Sequence, residues 1–303
     1  MARFVVQRII SVIVALFILV TATYFLMHMV PGGPFNMENI NPKAAENLKA
    51  KYGLDRPVYE QYAEYLGDLL HGDLGISIKK IGFTVNELIA EKFPVSAKLG
   101  VVAITFAACV GVPLGILAAM KRNKIADRII MLICTLGVSM PSFVIATTLL
   151  YFLGIKLSLL PTMRLESWAS YIMPALSLSF SPLSYITRLT RSNMLDVIDQ
   201  DYIKTARAKG LSNLKVVGKH ALRNSIIPVI TYLGTMSAGI LVGGFVVETV
   251  FSIPGLGSYF VGSISNRDYP MIMGTTIFYG VLIVVINMFV DIIYRFVDPR
   301  IKL

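Results

Sequence analysis

Six stretches of this 303-residue sequence are nearly free of charge and each about as long as a bilayer asks of a helix: about Ile9–Val30, Leu99–Met120, Ile129–Leu153, Ser170–Thr187, Ile226–Val247 and Pro270–Val290. A hydrocarbon core of about 30 Å needs about 20 apolar residues in helical form. Lipid offers no partner to an unpaired backbone group, so each span must close its own hydrogen bonds. The sequence therefore predicts an all-α, polytopic membrane protein with six transmembrane helices. Composition agrees: 15% of residues are charged and mean hydropathy is +0.68, where soluble domains carry roughly a quarter charged residues. The first stretch follows Arg3 and Arg8, as in a signal peptide. It is longer than the 7–15 apolar residues typical of one and lacks a convincing small-residue cleavage site.

Basic residues set the expected orientation. Arg3 and Arg8 precede the first span, Lys121, Arg122, Lys124 and Arg128 follow the second, and Arg295, Arg300 and Lys302 close the chain. Between the fourth and fifth lie Arg188, Arg191, Lys204, Arg207, Lys209, Lys215, Lys219 and Arg223. The opposite short loops hold Lys156, Arg164 and Arg267. Positive charge stays on the cytoplasmic side, which puts both termini there and makes the net charge of +10 a topology signal rather than a nucleic-acid surface. The chain divides into a first span (residues 1–30), a polar outside segment (31–94) and a five-helix core (95–303). The segment 31–94 reads as a cap of two or three helices. In "PVYEQYAEYLGDLL", Val58, Tyr62, Tyr65, Leu66 and Leu69 recur at helical spacing, and Pro57 suits a first turn.

Several chemistries are missing. The sequence has no G-x-x-x-x-G-K-[ST], H-E-x-x-H or G-x-S-x-G, and Cys109, Cys134 and the three His form no metal-ligand spacing. Nucleotide, metal or cofactor binding by this chain is not expected. The spans lack the mid-depth carboxylates or His of ion-coupled carriers. If the chain moves a solute against a gradient, another subunit supplies the energy. Pro113, Pro141, Pro174 and Pro182 can kink or break helices. In the fifth span Thr235, Gly239 and Gly243 form a small-residue row beside Gly234, Ala238 and Gly244, suited to close helix approach. That row fits a pathway-lining bundle or ordinary membrane-helix packing.

The insert "DYIKTARAKGLSNLKVVGKHALRNSIIPV" carries most of the functional signal. Eight basic residues across residues 188–224 would each cost roughly 3 kcal/mol in lipid, so this loop is expected in the cytoplasm. Its pattern predicts a helix over about 199–209, with Thr205, Ala206 and Ala208 as a low-relief face and Gly210 as the left-handed terminator. Ser212 is expected to cap a second helix, whose stripe is Leu214, Val217 and Ala221. Pro228 falls in the first turns of the next span. The spacing fits a docking element or a solvated basic connector.

The insert resembles the EAA loop of binding-protein-dependent ABC importer permeases, EAA-x3-G-x9-I-x-L-P. Gly210 stands at the pattern's Gly, Ala206 at its second Ala and Leu222 at its Leu. Lys204, Thr205, His220 and Arg223 replace its Glu, first Ala, Ile and Pro. "YIKTARAKGL" followed by "HALRN" is similar to the dipeptide, oligopeptide and nickel branch. So are "RII", "HMVPGGPF", "KYGLDRPVYEQYAEYL", "GDLGIS", "ETVFSIPGLG" and "DPRIKL" along the chain. The resemblance implies a type I ABC importer permease fold and the first of two permease subunits, in a bacterial inner membrane. It implies a homologous second permease, two cytoplasmic ATPase subunits that hold ATP and Mg, an extracytoplasmic substrate-binding protein and a short-peptide substrate. Tyr202, Lys204, Thr205, Ala206, Arg207, Ala208, Lys209, Gly210 and Leu211 would couple to the ATPase. Gly234, Thr235, Ala238, Gly239 and Gly243 would face the pathway or the partner permease. Glu248, Phe251, Pro254, Gly255 and Gly257 would form a tight turn at the outer mouth, with Pro254 and the glycines as its turn residues. Within this branch nickel, glutathione or oligosaccharide are alternative cargoes, and a six-span channel without nucleotide coupling is the alternative from another class.

Overall fold

A computed structural model of the protein describes residues 2–29, 56–163 and 165–297, and the side chains of 6–29, 56–163 and 165–290. Residue 30, residues 31–55 of the expected cap, Arg164 and the "DPRIKL" end lie outside them. The chain forms two compact units, one from residues 1–94 and 255–284, the other from 95–254 and 285–303. Among the described residues the regular structure is helical, with one isolated bridge between Ile76 and Thr84.

In the first unit, α1 (Ala2–Met29) packs against α2 (Val58–Leu70) through aromatic rings. Tyr24 meets Tyr62 and Tyr65 at centroid distances of 5.1 and 5.5 Å, and the Thr21 and Tyr62 hydroxyls lie 2.6 Å apart. The periodicity of "VYEQYAEYL" thus serves to seat α2 on the first span, except that Val58 is exposed. Pro57 is the N-cap rather than a helical residue. A loop then leads to α3 (Val85–Met120). Thr84 and Glu87 form a reciprocal capping box at its start: the Glu87 N–H donates to Thr84 Oγ1 at 3.2 Å and the Thr84 N–H to Glu87 Oε2 at 2.9 Å, satisfying two orphan donors. Asp268 anchors the loop, accepting from the Ser77 hydroxyl and from the Ile78 N–H at 3.1 Å.

The second span is longer than expected. α3 has 36 residues and continues through Pro94 and Pro113; residue 94, the expected boundary, lies within this helix, where the two units also divide. Packed membrane helices tolerate proline because surrounding groups satisfy the freed carbonyl. The third span differs the other way. α4 (Ile125–Ser139) and α5 (Ser142–Leu149), the latter running on as a π-helix over Leu150–Lys156, are bent by 107° to each other. Pro141 brings no N–H and forces Met140 into the extended region (φ −89°, ψ 126°).

The fourth predicted span lies in α6 (Trp168–Ile198), 31 residues containing Pro174 and Pro182. Among the described residues four helices are long and apolar enough to cross a membrane, up to five if the bent pair is one span, and α6 is not among them. The expected count of six spans is not reached on these grounds. The reason is chemical: Ser170, Ser177, Ser179, Ser184, Thr187 and Thr190 on α6 are buried. α6 packs against α4, α5 and the helices that follow it, so protein rather than lipid surrounds those hydroxyls. Several bond back to the preceding turn, Ser177 to the Met173 carbonyl at 2.8 Å and Thr187 to that of Leu183 at 2.8 Å.

Next come α7 (Asp201–Ala208), α8 (Asn213–Lys215), a π-helix over Val216–Ala221, α9 (Leu222–Ser225), α10 (Ile227–Gly243), α11 (Phe245–Val250), α12 (Leu256–Asn266) and α13 (Tyr269–Val297). Pro228 sits in the first turn of α10.

Candidate coupling segment and permease face

α7 ends as its sequence requires. Gly210 has φ +74°, the Gly210 N–H donates to the Arg207 carbonyl at 2.9 Å, and the Leu211 N–H reaches back to that of Ala206 at 3.4 Å. This pair of bonds around a left-handed residue is the Schellman motif. Its usual apolar contact is present too, since Leu211 packs on the cluster that includes Ala206.

That cluster shows which way α7 faces. Ile203 and Ala206 are buried with Ala119 of α3, Met194 of α6, and Val216 and Ala221. Tyr202, Lys204, Thr205, Arg207, Ala208, Lys209 and Gly210 are exposed. The low-relief face therefore divides. Ala206 seats α7 on its own chain, leaving Thr205 and Ala208 as the small outward residues. Lys204 pairs with Asp201 at 2.9 Å, and the Asn224 amide donates to the Tyr202 hydroxyl at 2.8 Å, tying the two ends of the segment together.

The second helix keeps part of its expected stripe, since Ala221 is buried and Val217 packs on the same cluster, but departs at Leu214. Ser212 occupies the N-cap position but makes no side-chain cap bond. Leu214, expected in the buried stripe, is 86% exposed, while Val216 and Ala221 are buried. A π-helix places residues five apart on one face, whereas the i, i+3, i+7 reading assumes 3.6 residues per turn. The segment enters α10 through Ser225, whose hydroxyl lies 2.9 Å from Met194 Sδ.

On α10 the small residues also separate. Thr235, Gly239 and Gly243 are exposed, and a Cβ built on Gly239 or Gly243 meets nothing within 4 Å. Ala238 is buried. A Cβ at Gly234 would lie 2.4 Å from Val290 Cγ2, so Gly234 serves packing against α13. The row that faces away from this chain is Thr235, Gly239, Gly243.

The turn after α11 is built differently from the expectation. Its left-handed residue is Ser252 (φ 51°), with the Ile253 N–H donating to the Glu248 carbonyl at 2.8 Å, a second Schellman closure. Glu248 and Phe251 are buried, Phe251 in the core with Val247 and Ile253. Pro254 is exposed, Gly255 is the N-cap of α12 and Gly257 is buried within its first turn. The glycines start a helix; they do not make the turn.

Charge counting missed one feature. Arg191 of α6 grips Asp127 of α4 with both arms of its guanidinium, Nε to Oδ1 at 2.6 Å and Nη2 to Oδ2 at 2.8 Å. The Asn123 N–H adds a third bond at 2.9 Å, and Asp127 is buried. Arg191 is only partly buried, so losing one partner costs less than the about 3–5 kcal/mol of a fully buried pair. The available signal was a lone acidic residue in the otherwise basic "KRNKIADR". Among the described residues no three His, Cys, Asp or Glu side chains form a metal-holding group.

The comparisons with known proteins agree along the whole chain. Residues 111–303 match the model of the binding-protein-dependent transport system inner membrane component, and residues 1–100 match that of its N-terminal part. The dipeptide transport system permease protein DppB of Bacillus subtilis is 45% identical, across 100% of this chain and 99% of that protein. The oligopeptide transport system permease protein OppB of Haemophilus influenzae is 44% identical, across 100% of both. Among solved structures, an inward-facing form of the MetNI methionine ABC transporter matches with a TM-score of 0.56 at 17% identity, covering 70% of this chain and 96% of that one. At that identity the likeness is one of fold.

Proposed function

The chain belongs to the binding-protein-dependent transport system inner membrane component family, and from that premise we propose that it is one permease subunit of an ATP-driven importer of short peptides. The observation that carries this reading is end-to-end similarity to both a dipeptide and an oligopeptide permease. A homologous second permease completes the pathway, two cytoplasmic ATPase subunits bind and hydrolyse ATP with Mg, and an extracytoplasmic protein delivers the peptide. This chain binds no nucleotide and catalyses no reaction of its own.

The coupling segment is α7 with its Gly210 terminator. The face offered to the ATPase is Tyr202, Lys204, Thr205, Arg207, Ala208 and Lys209, while Ala206 and Leu211 hold that face on the chain's own core. Thr205 and Ala208 have small side chains, which allows close seating. Exposed ion pairs add only about 0–1 kcal/mol each, and Lys204 is already paired with Asp201. Shape therefore outweighs charge here. Thr235, Gly239 and Gly243 face the partner permease or the pathway.

Both termini and the coupling segment lie in the cytoplasm in this reading. Single cysteines at Lys79 and Asn213, both exposed, are expected to react with an impermeant maleimide from opposite sides of the membrane, Lys79 from outside. Reaction of both from one side would overturn the topology.

The function itself is tested with the assembled complex in proteoliposomes. Uptake of a labelled dipeptide is expected to need ATP at the ATPase face and the binding protein at the other. Uptake that runs down a gradient without ATP would make the chain part of a channel.

A further inference from the structure

We propose that Arg191 and Asp127 are positioning residues for transport, a clamp that passes movement of the coupling segment to the broken helix pair α4–α5. The inference rests on the importer reading above. Covalently, α7 leads only to α6, through Asp199 and Gln200, and through Val216–Ser225 to α10. α4 has no such link to it. The chain enters α4 from α3 by a short turn, Lys121–Lys124, in which Asn123 holds a left-handed φ of 63°.

The Asp127 carboxylate gathers three donors at once: the Asn123 N–H of that turn and both arms of Arg191. A two-point guanidinium–carboxylate contact fixes orientation as well as distance, which a lysine ammonium would not. Arg191 lies three residues before Met194, so both stand on neighbouring turns of one helix flank. Met194 shares a buried cluster with Ile203 and Ala206 of α7 and with Ala119 of α3, and it also meets Ser225 at the entry to α10. One stretch of α6 thus holds the coupling helix, the entry to α10 and the start of α4. A second tie, Arg122 to Asp199 at 3.9 Å with both side chains exposed, joins the same turn to the end of α6 but is too long and too wet to hold it alone. A push on α7 that shifts α6 at Met194 must then carry α4 with it, and the 107° bend turns that shift into a change of angle in α5.

The test uses the full complex in proteoliposomes and reads peptide transported per ATP hydrolysed. In Arg191→Gln and Asp127→Asn, membrane level, bound ATPase and ATP hydrolysis are expected to stay near wild type. The transport ratio is expected to fall about tenfold, because a two-point contact that fixes orientation is lost. Arg191→Lys, which keeps the charge without the fork, is expected to fall between. The exchanged pair, Asp127→Arg with Arg191→Asp, is expected to recover only part of the ratio, because an arginine cannot accept from the Asn123 N–H. A wild-type ratio in the single variants overturns the clamp. So does loss of hydrolysis, transport and membrane level in proportion, with no partial recovery in Arg191→Lys, because the pair would then only hold the fold. Failure of the unaltered complex to take up peptide with ATP would instead overturn the importer reading.

Discussion

Gly210→Val is expected to abolish peptide uptake, or reduce it at least tenfold, while the chain still inserts at wild-type level. The cause is backbone conformation rather than crowding. A Cβ at Gly210 meets nothing within 4 Å, but φ is +74°, where an L-residue costs about 1–2 kcal/mol and a β-branched one sits worst. That strain opens the two bonds from Gly210 and Leu211 back to Arg207 and Ala206, and frees the end of α7 from the core that orients it. A cost of this size corresponds to about a tenfold shift in population between seated and unseated forms. Gly210→Asn is expected to be far milder, because asparagine tolerates the left-handed region. Lys204→Gln, which removes an exposed charge already paired within the chain, is expected to be milder still. Uptake, membrane level and co-purified ATPase measured on the three variants separate shape from charge. Equal damage from Lys204→Gln and Gly210→Val would contradict the shape-first account.

Gly239→Leu and Gly234→Leu are expected to fail in opposite ways. Gly239 faces away from its own chain with open space beyond it, so added bulk leaves the subunit folded and obstructs whatever approaches that face. Assembly with the second permease, or transport through the assembled pair, is expected to be lost at unchanged membrane level. At Gly234 a Cβ already falls 2.4 Å from Val290. Overpacking of that kind costs about 1–3 kcal/mol, and the expected result is a less stable chain with lowered membrane level. The two variants are distinguished by thermal stability of the detergent-solubilised subunit, alone and with its partner. If Gly239→Leu transports normally, the Thr235–Gly239–Gly243 row faces lipid.

The parts of this molecule that the sequence made legible are those written in local chemistry. The apolar lengths located α1, α10 and α13, Gly210 marked the end of α7, and Pro141 marked a break. What the sequence concealed depends on partners distant along the chain. α6 is rich in hydroxyls because other helices surround it, so an apolar-length criterion undervalues it. Leu214 occupies a helical stripe only if the turn is 3.6 residues, and the π-helix at Val216–Ala221 moves the buried face to Val216. Ala206 belongs to the small-residue pattern, yet its burial with Met194 and Ala119 shows that smallness there serves internal seating. Asp127 and Arg191 are 64 residues apart, and no local pattern joins them. Ser252 takes the left-handed position although Gly255 and Gly257 stand close by, because the closing bonds are set by where α11 ends.

The central claim is that the exposed face of α7 seats the ATPase, and a direct contact measurement tests it. In a chain with Cys109 and Cys134 replaced by Ala, a single cysteine at Ala208, joined by a short bifunctional crosslinker, is expected to capture an ATPase subunit in the assembled complex. The yield is expected to change when ATP is supplied. A cysteine at Val281, exposed on α13, is expected to capture none. A complex that takes up peptide normally while Ala208→Cys captures no ATPase, with or without ATP, would contradict the account.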